Sequence, residues 1–203
     1  TPIASSKLFA ETILSRDISK EKRDDILDKI IKDQTRLEKL VENILLISKV
    51  EEHELHLERE KVNCREFIES VIMGLDLSET TKFDIDSEIE IKIDRFYFTS
   101  VIQNLHENAI KYSKAKEEIV WSAHQLGNSI FIQIKDQGIG VSPDQREKIF
   151  DLFHRIGDEN TRDTKGTGVG LYIVQKIVAL HNGTIKTKDN QPQGSIFEIE
   201  LPQ

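Results

Sequence analysis

Residues Val101–Ser113, with the sequence VIQNLHENAIKYS, carry the pattern on which the interpretation of the whole chain depends. The apolar side chains recur at helical spacing and share one face: Val101, Ile102, Leu105 and Ala109. Asn104, Asn108 and Lys111 stand at i, i+4 and i+7, which places them on a neighbouring stripe. Because amide oxygens suit a hard cation and lysine suits phosphate, this stripe indicates the floor of a Mg-nucleotide site. A solvated surface helix explains this one segment equally well.

Two glycine-bearing segments downstream favour the nucleotide site. Asp136-Gln137-Gly138-Ile139-Gly140 follows a strand-like run, and Gly166-Thr167-Gly168-Val169-Gly170-Leu171 precedes a helix-like run. With these segments in this order, nearly all of the 203 residues resemble the sensor histidine kinases, whose ATP-binding domains belong to the GHKL superfamily and have the Bergerat fold. By this resemblance the asparagine box is 104–112, the first glycine box 136–140, the phenylalanine box 150–155 and the second glycine box 166–171.

The resemblance implies roles for these residues in binding ATP and Mg²⁺. Asn108 corresponds to the metal ligand, through its side-chain oxygen, and Asp136 to the acceptor for the adenine amine. Lys111 would neutralise phosphate charge, and Tyr112 would contact the ribose or base unless it packs in the core. The glycine boxes would bring backbone close to the base, at Gly138 and Gly140, and to the phosphates, at Gly166, Thr167, Gly168, Val169, Gly170 and Leu171.

The polar segment 154–165 between these boxes predicts a lid that closes over ATP. Arg155, Arg162 and Lys165 are the cations best placed to reach the β- or γ-phosphate. Phe150 and Phe153 are expected to anchor the lid to the core, and simple core packing would explain them as well.

Asn104 bears on the reaction type. The ATPase branches of the superfamily carry a glutamate at this position that activates water, whereas an asparagine supplies no general base. Asn104, Asn108 and Lys111 are therefore predicted to serve phosphoryl transfer, first to a histidine and then to an aspartate on a response-regulator receiver domain. A GHKL ATPase and a serine-directed protein kinase are the enzymatic alternatives, and a degenerate nucleotide-binding dimeric scaffold is the alternative without phosphotransfer.

Residues 1–58 predict a long helical hairpin. Apolar residues between Ile26 and Ile47 repeat at spacings of three, four and seven, and neither Gly nor Pro occurs from Ile3 to Met73. A seam of this length needs a partner, which favours a homodimeric four-helix bundle over a monomeric hairpin. The hairpin resembles the dimerisation and histidine-phosphotransfer region of the same kinases, with residues 59–65 as a linker.

The family motif His-Glu-x-x-Thr-Pro is matched only by Thr1-Pro2. By that alignment the acceptor histidine lies four residues before Thr1, so the chain is expected to be a fragment. None of the six histidines falls in the first predicted helix: His53, His56, His106, His124, His154 and His181. Thr1 corresponds to a residue that positions water for dephosphorylating the response regulator, although an N-capping threonine is an equally good interpretation.

Residues 66–203 predict the catalytic ATP-binding domain. Alternating apolar residues indicate strands within 83–93, 118–124, 129–135, 184–188 and 195–201, and helical patterns cover 65–77, 94–113, 147–153 and 171–180. Strands under helices on one face make an α/β sandwich, so the expected class is α+β: a helical hairpin followed by a Bergerat fold.

The composition disfavours some classes of partner and excludes some structural features. The formal net charge of −8 disfavours nucleic acid, and the single Cys64 excludes an intrachain disulfide. No apolar run approaches the roughly 18 residues of a membrane span. The resemblance to sensor histidine kinases implies a cytoplasmic location, with any membrane anchor outside this chain.

Overall fold

The computed structural model describes residues 2–15, 18–52, 55–75, 81–113, 117–156 and 167–203. The chain divides into two compact units, residues 1–54 and 55–203, which are described separately. The domain boundaries expected at 58/59 and 65/66 stay predictions. No helix in the described ranges is long and apolar enough to cross a membrane.

The first unit is a helical hairpin. Helix α1 spans Pro2–Ser15 and packs along α2, which spans Lys20–Glu51. The Ser19 hydroxyl caps α2 by accepting a hydrogen bond from Lys22 N at 3.4 Å, as its place before an acidic first turn indicates. The helix ends at Glu51, so the predicted end near residue 58 is wrong.

The described residues of the second unit contain a five-stranded sheet and three α-helices. The sheet has the order β2-β4-β5-β7-β6, and it is antiparallel except for β2, which runs parallel to β4. The strands β1 and β3 form a separate antiparallel pair. The elements are β1 Glu60–Asn63, α3 Cys64–Gly74, β2 Thr81–Ile85, β3 Glu90–Ile93, α4 Arg95–Tyr112, β4 Ile119–Leu126, β5 Ser129–Lys135, α5 Gly170–Leu180, β6 Thr184–Asp189 and β7 Ser195–Pro202.

One face of the sheet forms the core of this unit. Trp121 on β4 lies opposite Ile134 on β5, and all three helices contact the sheet strands. The residues beneath them are almost completely buried: Phe98, Ile102, Leu105, Trp121, Ile132, Ile134, Ile173 and Ile199. The predicted helical segment followed by a mixed α/β domain is confirmed.

The helix predicted at 147–153 is wrong: this segment contains only a 3₁₀ turn at Lys148–Phe150, after a separate 3₁₀ turn at Pro143–Gln145. Phe153 then has a left-handed backbone, with φ of 64°. Residues 60–63, within the predicted linker, form strand β1 and pair with β3.

Candidate nucleotide site

The predicted polar stripe lies along α4, at the border of the core. The side chain of Asp94 fixes the start of this helix by accepting a hydrogen bond from Tyr97 N at 3.2 Å. Asn104 is buried, whereas Asn108 and Lys111 are half-buried. The helix therefore carries one enclosed amide and, one and two turns later, two polar groups that solvent can reach.

The carboxamide of Asn104 lies against the start of α5. Its Nδ2 donates to Ser100 O at 2.8 Å, which fixes the orientation of the amide. A Cβ on Gly170 would lie 2.6 Å from Asn104 Oδ1, so only glycine fits the present spacing. Val169, the N-cap residue of α5, provides no side-chain cap. The first turn of α5 therefore starts beside Asn104 without a capping bond to the side chain of its N-cap residue, and a helix N-terminus of this kind can bind an anion.

Lys111 and Tyr112 form a pair at the end of α4. Lys111 Nζ donates to Tyr112 Oη at 2.9 Å and lies 4.5 Å from the centre of the tyrosine ring. Tyr112 is 38% exposed, so the core-packing alternative for this residue is wrong. The ammonium group is held at the surface by an aromatic ring, a contact that an anion can replace at little cost.

The first glycine box places a buried carboxylate beside the end of α4. Asp136 is 4% exposed, and its Oδ1 accepts hydrogen bonds from Gly138 N at 2.8 Å and Ser195 N at 3.1 Å. Burial raises the pKa of Asp136, and the two backbone bonds partly offset this rise. A Cβ on Gly138 would lie 2.5 Å from Tyr112 O, so this glycine lets the box pack directly on α4. Gly140 adopts a left-handed conformation, with φ of 76°.

The second glycine box adjoins the phenylalanine box. Gly168 has φ of 73°, and its carbonyl accepts a hydrogen bond from Phe153 N at 2.9 Å. This bond joins the two ends of the predicted lid. Phe150 is buried, whereas Phe153 is 61% exposed, so only Phe150 is anchored in the core and the expectation for Phe153 is wrong.

Four predicted site residues, Thr1, Arg162, Lys165 and Gly166, lie outside the described residues. Arg155 is half-buried at the start of the lid segment. In the second glycine box, Val169 is fully buried while Thr167 and Leu171 are half-buried. Helix α4 thus contacts the first glycine box at Gly138 and the second glycine box at Gly170.

The turn between β6 and β7 also belongs to this site, and sequence reasoning missed it. Asn190 Nδ2 donates to Asp136 O at 2.7 Å, and Ser195 N reaches the carboxylate of the same residue. The sequence DNQPQGS between the two strands indicates a turn but does not show which residue the turn contacts.

Family profiles match both units of the chain. Residues 93–203 match the family described as "Histidine kinase-, DNA gyrase B-, and HSP90-like ATPase". Residues 1–53 match the "His Kinase A (phospho-acceptor) domain". Together the two matches reproduce the order of helical hairpin and ATP-binding domain expected from the sequence.

Individual relatives agree with these matches. The sensor protein RprX of Bacteroides fragilis is 32% identical over 212 residues, covering 100% of this chain and 41% of RprX. The structure of the Acinetobacter baumannii histidine kinase AdeS aligns with a TM-score of 0.77 at 24% identity, covering 100% of this chain and 95% of that one. Histidine kinase ThkA, in complex with the response regulator TrrA, aligns with a TM-score of 0.75 at 23% identity, covering 100% of this chain and 57% of that one. The chain spans half or less of the length of the curated relatives that it matches.

Proposed function

The chain belongs to the sensor histidine kinase family, and on this premise we propose that it is a catalytic core that binds Mg-ATP and transfers the γ-phosphoryl group to a histidine. A receiver-domain aspartate would then accept the phosphoryl group. In the family motif the acceptor histidine precedes the Thr-Pro pair, which corresponds to Thr1-Pro2 here. The phosphoacceptor therefore lies outside residues 1–203 in this proposal.

The observation that carries the proposal is the contact of α4 with both glycine boxes. Gly138 packs on the carbonyl of Tyr112, and Gly170 packs on the amide of Asn104. One helix thus contacts both the segment that carries the buried carboxylate of Asp136 and the helix N-terminus beside Asn104. Such a pairing of a buried carboxylate with a helix N-terminus whose N-cap side chain makes no capping bond suits the two ends of a nucleotide.

Each end of the nucleotide has its own recognition chemistry in this proposal. Asp136 Oδ1 is occupied by two backbone donors, which leaves Oδ2 to accept from the adenine amine. The N-terminus of α5 and the ammonium of Lys111 would neutralise phosphate charge. Asn108 would hold Mg²⁺ through its neutral amide oxygen at a half-buried position, and the ion would supply positive charge to the phosphates.

Positioning and charge neutralisation would provide most of the catalysis. The Asn104 amide already donates to Ser100 O, and an amide is no base, so the residue orients the start of α5 rather than activating water. Transfer to a histidine therefore remains favoured over rapid ATP hydrolysis. The ATPase alternative predicts steady-state turnover that does not depend on any added phosphoacceptor.

The hairpin is proposed to form a homodimer. Large apolar side chains are exposed along both helices: Ile3, Leu8, Leu14, Leu27, Ile31, Val41, Ile44 and Leu45. A four-helix bundle with a second copy would bury them, and the bundle would then be the surface on which a receiver domain docks. A cytoplasmic location, with any membrane anchor outside this chain, is part of the same proposal.

Calorimetric titration of Mg-ATP tests the nucleotide site. Replacing Asn108 by Ala should weaken binding at least about tenfold in the presence of Mg²⁺ and much less in its absence, because the lost ligand acts through the metal. Asn128→Ala, at an exposed turn, is the matched control. Equal affinities of wild type and Asn108→Ala in Mg²⁺ would contradict the assigned metal ligand.

A further inference from the structure

The turn between β6 and β7 holds the residue proposed to recognise adenine. Asp136 N donates to Ser195 O at 3.0 Å, and Ser195 N donates back to Asp136 Oδ1 at 3.1 Å. Asn190 Nδ2 donates to Asp136 O at 2.7 Å. The amide, the carbonyl and one carboxylate oxygen of Asp136 are therefore all bound by the segment 190–195.

The turn is built to approach Asp136 closely. Gly194 has φ of 115°, and a Cβ there would overlap the carbonyl of Asp136. Asn190 N donates to Gly194 O at 3.0 Å, which closes the turn around this glycine. A side chain at position 194 would push the turn away from the first glycine box.

The carboxamide of Asn190 uses its two ends for different purposes. Its Oδ1 accepts a hydrogen bond from Gln191 N at 3.0 Å, within the turn. Its Nδ2 leaves the turn and binds Asp136 O. The contact to Asp136 is thus not needed to form the turn, and the two purposes can be separated by substitution.

We propose that Asn190 is a positioning residue that sets the orientation of Asp136 and thereby the discrimination for adenine over bases that lack its amine. The inference rests on the proposed function, in which Asp136 accepts from the adenine amine. Both backbone donors to the Asp136 carboxylate bind Oδ1, so the direction of Oδ2 depends on these two bonds and on the backbone at 136. Asn190 fixes the carbonyl of that backbone and so restricts its rotation.

One variant separates this effect from turn formation, and a second controls for added charge. Asn190→Asp keeps the oxygen that accepts from Gln191 N and removes the donor to Asp136 O. Asn190→Ala removes the donor without adding charge near Asp136. Gln193→Ala, an exposed side chain in the same turn, is the matched control.

The measurement is the ratio of dissociation constants for ITP and ATP, each with Mg²⁺, for the 203-residue chain. ITP carries a carbonyl oxygen where ATP carries the amine, so its exocyclic group cannot donate to Asp136. Both Asn190 variants should weaken ATP binding by about five- to tenfold and leave ITP binding within about twofold, whereas Gln193→Ala should leave both unchanged. A wild-type ITP/ATP ratio in the Asn190 variants would overturn the inference. An equal loss of affinity for both nucleotides would also overturn it, because a merely structural role of Asn190 weakens both.

Asp136→Asn distinguishes failure of this inference from failure of the proposed function. The amide keeps an oxygen for Gly138 N and Ser195 N and presents an NH₂ group to the base, so ATP/ITP discrimination should disappear. If Asp136→Asn abolishes discrimination and the Asn190 variants do not change it, Asn190 has no positioning role although Asp136 recognises the base. If Asp136→Asn leaves discrimination intact, the base-recognition step of the proposed function fails, and the inference fails with it.

Discussion

The amide of Asn104 and the backbone of Gly170 are in direct contact: a single added carbon on Gly170 would lie 2.6 Å from Asn104 Oδ1. The contact joins the middle of α4 to the first turn of α5, and it exists only because position 170 has no side chain. It ties the asparagine box to the second glycine box by packing as well as by sequence order.

Gly170→Ala should therefore lower the free energy of unfolding by about 1–3 kcal/mol and weaken Mg-ATP binding, because either Asn104 or α5 must move. Gly74→Ala is the control, since nothing lies within 4 Å of a Cβ at that position. Urea denaturation and calorimetric titration measure the two effects. Unfolding and binding of Gly170→Ala that match those of Gly74→Ala would show that the close contact is unimportant.

Alanine substitutions at Phe150 and Phe153, which precede the predicted lid, should lower the free energy of unfolding by very different amounts. Phe150 is 4% exposed and Phe153 is 61% exposed. Phe150→Ala should cost about 3–4 kcal/mol of unfolding free energy through lost burial and a cavity, and Phe153→Ala about 0.5 kcal/mol or less. Denaturant titration of the two variants checks this, and similar losses for both would contradict the observed separation.

His181 should make this domain sensitive to mild acid. The ring is 3% exposed, Nδ1 donates to Ile177 O at 2.8 Å, and Nε2 accepts from Asp94 N at 2.9 Å. Burial lowers the pKa of His181, and the neighbouring Arg59 lowers it further, while the Ile177 carbonyl and Asp94 act in the opposite direction. The neutral ring is thus the form that the folded state favours.

The sign of the effect follows from this lowered pKa. The neutral His181 ring contributes fully to the free energy of unfolding above the ordinary histidine pKa of about 6.5. This contribution is lost as pH falls from there through the lower pKa that His181 has in the folded state. In that range the free energy of unfolding of the wild type should fall by up to about 1.4 kcal/mol per pH unit because of this one proton. The free energy of unfolding of His181→Gln should fall less. Unfolding titrations at pH 7.5, 6 and 5 measure the slope, with His56→Gln as an exposed control. Equal slopes in wild type and His181→Gln would rule out this role.

Association through the hairpin can be tested with two matched changes on α2. Ile44 is 49% exposed and belongs to the apolar surface, whereas Glu42 is an exposed polar neighbour. Ile44→Gln should weaken the homodimer by about tenfold or more, and Glu42→Gln should leave it nearly unchanged. Sedimentation equilibrium gives the dimer dissociation constants. A monomeric wild-type chain, or equal effects of the two changes, would contradict the proposed bundle.

The sequence predicted the parts of the fold that local pattern determines. Strands β4 and β5, with the turn at Gly127-Asn128, follow from alternation and turn chemistry, and α5 follows from its apolar run. The end of α2 was misplaced because no Gly or Pro marks it. Residues beyond it have tertiary partners instead: Glu58 N donates to the side chain of Asp94 at 2.8 Å.

In the candidate site, too, local sequence pattern predicts some features, while others depend on tertiary contacts. Residues at fixed spacing, such as Asn104, Asn108 and Asp136, could be assigned from the order of the boxes. The contact of Asn190 with Asp136 joins residues 54 positions apart, and no local pattern indicates it. The difference between Phe150 and Phe153 depends on the left-handed backbone at Phe153, which a bulky residue seldom adopts and sequence therefore does not predict.

The most direct test of the account is phosphoryl transfer from γ-labelled Mg-ATP. The chain would be extended at its amino terminus with helical sequence that places His-Glu-x-x before Thr1-Pro2. We expect label on the protein that is acid-labile and alkali-stable, as phosphohistidine is, and we expect Asn108→Ala to abolish it while Asn128→Ala does not. ATP binding without any such label would contradict the kinase assignment.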